Sequence, residues 1–135
     1  MNTQTNKLTI QEVASATGLT VHTLRYYEKV GLIHSIGRAD NTHRRYTHDD
    51  IGWIDFLTKL RATGMSIQQM QAYAELQRQG DETLPERLQM LRDHQQQVET
   101  HMAELHQNLE IICYKIGYYQ KVVDEMRQPV LELVY

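Results

Sequence analysis

From Leu84 to Ile116 the apolar residues return in alternating steps of four and three: Leu84, Leu88, Leu91, Gln95, Val98, Met102, Leu105, Leu109, Ile112 and Ile116, with Gln95 the one polar member. An α-helix completes a turn about every 3.6 residues, so this spacing draws a nearly straight apolar stripe down one side of a long helix. The stripe starts after Asp81 and has Pro85 in its first turn, where a missing amide leaves no hydrogen bond unmade. It lasts more than four heptads and would be wet on a lone helix. No second helix of that length can be read elsewhere in the chain. The simplest cover is therefore the same stripe of another copy, in a two-fold homodimer, with packing back on the chain's own N-terminal half as the alternative. The spacing leaves parallel and antiparallel pairing equally open.

The remaining composition agrees with a mainly α chain. Two prolines and seven glycines in 135 residues leave few interruptions. Cys113 stands alone, which excludes an intrachain disulfide framework and suits a reducing compartment. No apolar run approaches the roughly 20 residues of a membrane span, and MNTQTNKLT has no signal-peptide core. A cytoplasmic protein without a membrane partner is expected.

The net charge of −3 argues against a polyanion partner until its distribution is considered. Residues 1–65 carry eight Lys/Arg against six Asp/Glu, and residues 66–135 carry six against eleven. Between Thr20 and His48 stand five Lys/Arg, four His and only two acids. That segment is where a nucleic acid would bind.

Its local structure can be read from caps and spacing. Thr9-Ile10-Gln11-Glu12 is a capping box, opening a helix over about Ile10–Ala16 that stops at Gly18. Thr20 caps a second helix, about Val21–Val30, closed by Gly31, and the pair reads as a helix-turn-helix. Val21, Leu24 and Tyr27 make its inward stripe, whereas His22, Arg25, Tyr26 and Lys29 share another face. Two cations, an imidazole and a phenol can donate to phosphates and base edges; the plainer alternative is an ordinary solvated face. HSIGRADNTHRRYTHDD then loses helical periodicity and suits a basic hairpin, with Arg38 entering and Arg44, Arg45 and Tyr46 leaving, or else a solvated loop. A third helix follows Asp49 and Asp50 to about Thr63, and a fourth is capped by Ser66. The expected organisation is a winged helix-turn-helix over 8–80, a coiled-coil helix over 81–117, and a tail over 118–135 that reads as a short helix up to Arg127, before Pro129 and an apolar end.

IQEVASATGLTVHTLRYYEKVGLI, then NTHRRYTHDDIGWIDFLTKLRATGMSIQQMQAY, then the long helix, together resemble the MerR family of bacterial transcription regulators over about residues 8–117. The TLRYYE block, the wing arginine and the LRATGMS turn stand in order at family spacing. The resemblance implies an antiparallel coiled-coil dimer bound to near-palindromic double-stranded promoter DNA. It also implies control by bending and untwisting that DNA, so that RNA polymerase is engaged indirectly. Carried onto this chain, Thr20, His22, Thr23 and Arg25 would enter the major groove, and Tyr26, Arg44 and Tyr46 would hold backbone. His43 would sit where the family often has tyrosine, with Lys59 and Arg61 as further phosphate contacts.

The resemblance is less informative about an effector. Metal-sensing members use paired cysteines, whereas Cys113 is alone, so no metal or cofactor is expected. NLEIICYKIGYYQ is similar to the aldehyde- and thiol-stress branch, whose third-helix cysteine is matched here by Lys59. Tyr114, Tyr118, Tyr119 and Tyr135 could line an aromatic cleft for a small-molecule effector, although aromatic residues at such positions more often serve dimer packing. No phosphate loop, nucleophile elbow or paired carboxylate suggests an enzyme. The competing reading is a coiled-coil protein–protein adaptor with a winged-helix head.

Overall fold

The computed structural model describes residues 7–33 and 46–128. Its helices are α1 (Ile10–Thr17), α2 (Val21–Lys29), α3 (His48–Ala62), α4 (Ile67–Gln79) and α5 (Leu84–Met126), with a 3₁₀ turn at Asp81–Thr83 before the last. The chain divides into two units after His94.

In the first unit each of the four short helices starts at a Ser or Thr whose hydroxyl accepts an amide of the first turn. Thr9 and Glu12 form the expected capping box, and Thr47 with Asp50 and Ser66 with Gln69 form two more. Gly18 closes α1 at φ 77°, a left-handed conformation that glycine adopts without strain. Val30 caps α2 rather than extending it.

The apolar faces of these helices meet in one core. Val13, Leu24, Ile54, Leu57 and Met70 are wholly buried, and Ile10, Leu32, Ile33, Leu60, Met65 and Ala74 nearly so. Each of these Val, Leu, Ile and Met side chains contributes about 1.5–3 kcal/mol of transfer free energy. Leu24 and Tyr27 are buried while Tyr26 is 44% exposed, as the helical spacing of α2 requires. Trp53, Phe56 and Tyr73 form an aromatic edge to this core, Trp53 and Tyr73 stacking at 6.0 Å between centroids.

Burial pushes the Tyr73 phenol above its ordinary range, and the positive charge of Arg87 opposes this only in part. The fold thus favours the neutral phenol. Its contribution to stability is complete below the unfolded value of about 10 and is lost as pH rises through the higher folded value. Denaturant unfolding at increasing alkaline pH should show wild type losing stability above about pH 10 more steeply than Tyr73→Phe; parallel losses would contradict this assignment.

The junction of α4 and α5 is held by a buried arginine. Arg87 is 9% exposed, and its Nε, Nη1 and Nη2 donate to Thr83 Oγ1, Gln77 Oε1 and the Gly80 carbonyl at 2.8–2.9 Å. Thr83 in turn donates to the carbonyls of Leu76 and Gly80. At the C-terminal end of α3, the Thr63 hydroxyl is within hydrogen-bond distance of the Lys59 and Leu60 carbonyls and of His94 Nε2, 2.8 Å away.

The second unit contains the remainder of α5. Met102, Leu105, Leu109, Ile112 and Ile116 are all more than half exposed on the single chain. The coiled-coil helix and the short helical stretch expected after Gly117 form one unbroken helix that runs on to Met126. A helical glycine costs only about 1 kcal/mol relative to alanine. Beyond it, Tyr119, Val123 and Met126 continue the steps of three and four from Ile116, so the seam is longer than the stretch ending there. Among the described residues no helix is long and apolar enough to cross a membrane.

Candidate nucleic-acid interface

At the start of α2, the Thr20 hydroxyl accepts from the Thr23 amide and donates to Thr23 Oγ1, both at 3.0 Å. Thr20 is thereby committed to the cap, and the proton of the Thr23 hydroxyl remains available to an external acceptor. Helix amides and dipole direct positive potential at the same place. Along the helix, His22, Arg25, Tyr26 and Lys29 are all exposed on the side away from Leu24 and Tyr27. Among the described residues neither Arg25 nor Lys29 makes an ion pair. The expected residues of α2 therefore come together on one open cationic face.

Tyr46 requires a correction. It is expected from the resemblance to hold DNA backbone, but its side chain is fully buried and its hydroxyl donates to Glu28 Oε2 at 2.6 Å. Its amide and carbonyl pair with Leu8 in an isolated antiparallel bridge. A side chain without exposed surface cannot reach a phosphate, so the Tyr46 side chain belongs to the core. His43 and Arg44, with Arg38 and Arg45, lie outside the described residues. On α3, Lys59 and Arg61 are exposed, and Arg61 also donates to the Met65 carbonyl at 3.3 Å across the turn to α4.

What fixes the far end of α2 is absent from the sequence reading. Three successive carbonyls after the helix are each held by a side chain from α3 or α4. Val30 accepts from Gln71 Nε2 at 2.8 Å, Gly31 from Arg78 Nη1 at 2.9 Å, and Leu32 from Trp53 Nε1 at 2.8 Å. These bonds anchor the end of α2 and the turn that follows it.

Residues 8–77 match the model described as MerR HTH family regulatory protein, and residues 51–111 match that described as MerR, DNA binding. The chain belongs to the MerR family. Among MerR-family relatives, an uncharacterised HTH-type transcriptional regulator of Haemophilus influenzae is 36% identical over 113 residues, 84% of each chain. The regulator AdhR of Bacillus subtilis is 42% identical over 91 residues, 67% of this chain and 65% of that protein. The crystal structure of HiNmlR, a MerR family regulator lacking the sensor domain and bound to promoter DNA, superposes with a TM-score of 0.79 at 35% identity, covering 87% of this chain and 94% of that one. This MerR-family chain is a DNA-binding transcription regulator.

The tyrosines considered for an effector do not share one face. Tyr114 and Tyr118 are four residues apart, and so neighbours on the helix surface, while Tyr119 lies about 100° further round, on the seam. Lys115 Nζ lies 5.6 Å from the Tyr119 ring centroid, an arrangement suited to cation–π attraction. Tyr135 falls outside the described residues. Cys113 is exposed, and among the described residues no group of three His, Cys, Asp or Glu is placed to hold a metal.

Proposed function

We propose that two copies of the chain pair along α5 and bind a near-palindromic promoter site, placing an α2 in each of two major grooves. In this reading Thr23, His22 and Arg25 meet base edges, and Tyr26, Lys29 and Arg44 hold phosphates. The observation that carries it is the exposed cationic face of α2, whose Arg25 and Lys29 make no ion pair among the described residues, anchored from behind by Gln71, Arg78 and Trp53.

Transcription is controlled here by shape rather than by catalysis. Phosphate contacts at two separated heads can hold a duplex bent and untwisted, a deformation costing on the order of 1–6 kcal/mol that the contacts offset. Polymerase then engages a promoter whose spacer would otherwise be over-long. An effector acts by favouring one arrangement of the dimer over another.

Operator binding measured over a salt series tests this reading. Affinity should fall steeply with salt as counterions are released from neutralised phosphates. Arg44→Ala should weaken all sequences alike, whereas Arg25→Ala should lose about 1–3 kcal/mol on the operator and blur base preference. Salt-independent binding without sequence preference would favour the adaptor reading instead.

A further inference from the structure

We infer that the head contains a small-molecule site between the turn after α2, the start of α3 and the end of α4. Its ligand is a monocyclic aromatic carboxylate bearing a ring hydroxyl, and occupancy loosens the anchoring of α2. A cavity of about 330 Å³ opens there, lined among the described residues by Leu32, Asp50, Trp53, Ala74, Gln77 and Arg78. That volume is at the small end of ligand sites, enough for one substituted ring. Trp53, Leu32 and Ala74 supply an aromatic and aliphatic wall.

The polar groups select the substituents. The Arg78 guanidinium is paired through Nε and Nη2 with one oxygen of Glu75, whose side chain is 58% exposed. Such a surface pair is weak and exchangeable, so a ligand carboxylate can take the fork of Arg78 from Glu75 in a more sheltered place. Asp50 uses Oδ2 to accept the Thr47 amide at 2.8 Å, and among the described residues its Oδ1 has no hydrogen bond. That oxygen accepts the ring hydroxyl.

Coupling follows from shared residues. Trp53 and Arg78 line the cavity, and they also hold the Leu32 and Gly31 carbonyls behind α2. A carboxylate that draws the whole Arg78 guanidinium away from Glu75 and into the cavity carries Nη1 away from the Gly31 carbonyl as well, leaving α2 less firmly placed. The inference rests on the regulator reading for its consequence, weakened operator binding, but not for the site itself.

Trp53 is the sole tryptophan, so its emission reports the site directly. The full-length protein, without DNA, is titrated with 4-hydroxybenzoate and with the uncharged 4-hydroxybenzamide. The expected result is a saturable change with the acid, at least about tenfold weaker with the amide and in Arg78→Gln, a loss of about 1.4 kcal/mol in binding. Saturating acid should then lower operator affinity several-fold in wild type and not in Arg78→Gln. No saturable change at millimolar acid, or equal binding of acid and amide by wild type, overturns the site even if Arg78→Gln fails to fold. A saturable change with operator affinity unmoved overturns the coupling. A protein that binds no operator while Trp53 still titrates refutes the regulator reading and leaves the site established.

Discussion

Leu109→Glu is expected to give a monomer at micromolar concentration that no longer holds the operator. Leu109 is 54% exposed on the single chain and stands in the middle of the seam on the second unit, so its contribution depends on a partner. Truncating a buried leucine costs about 2–5 kcal/mol, and in a homodimer the substitution occurs twice. Even at the lower figure the loss is about 4 kcal/mol, close to a thousandfold in the dimerisation constant, before any penalty for burying carboxylates. Glutamate is a good helix former, so an intrinsic loss of helicity is not the cause. Sedimentation or light scattering reads the assembly, and operator titration reads the consequence. Wild type should in addition show a melting temperature that rises with protein concentration, and the variant should not. A Leu109→Glu dimer of unchanged affinity would mean that the seam is covered by something other than a second copy.

Arg87→Met is expected to destabilise the head by about 2–4 kcal/mol, because hydrogen bonds to a charged group are worth about 1.5–3 kcal/mol and the buried Thr83 hydroxyl and half-buried Gly80 carbonyl would be left short of donors. Three acceptors on two elements converge on this one guanidinium: Gln77 on α4, the Gly80 carbonyl, and Thr83 at the entrance to α5. Methionine fills much of the volume but supplies no donor. Arg87→Lys should recover only part of the loss, since an ammonium on a flexible stem does not reproduce a planar fork. For a small domain the methionine variant should melt on the order of 10–20 °C lower. A shift of a degree or two would show that water replaces the guanidinium at little cost.

Much of the head is legible in the sequence because the signals are local. Thr9 with Glu12, Thr20 and Ser66 announce helix starts within a single turn, and helical spacing alone separates buried Leu24 and Tyr27 from exposed Arg25 and Tyr26. The anchoring of α2 is of another kind. Trp53, Gln71 and Arg78 reach carbonyls 21, 41 and 47 residues away, and periodicity does not indicate which polar side chain meets which distant acceptor. Tyr46 is misleading for a related reason. It follows two arginines in a polar segment, and only the position of Glu28 on α2 reveals that its hydroxyl is directed inward. At Gly117 a residue that often ends helices suggests a division between the coiled-coil helix and a short helical tail, although the steps of three and four continue through Tyr119, Val123 and Met126 in one helix.

The unbroken course of α5 past Gly117 limits how this chain can evolve. Each residue added to or removed from a helix rotates everything downstream by about 100°, so one deletion between Leu105 and Leu109 would swing Ile112, Ile116, Tyr119, Val123 and Met126 off their common line. Insertions that keep the line come in blocks of seven. The rod therefore behaves like a rack whose teeth engage only at fixed intervals, and natural length variants of this segment should differ by whole repeats.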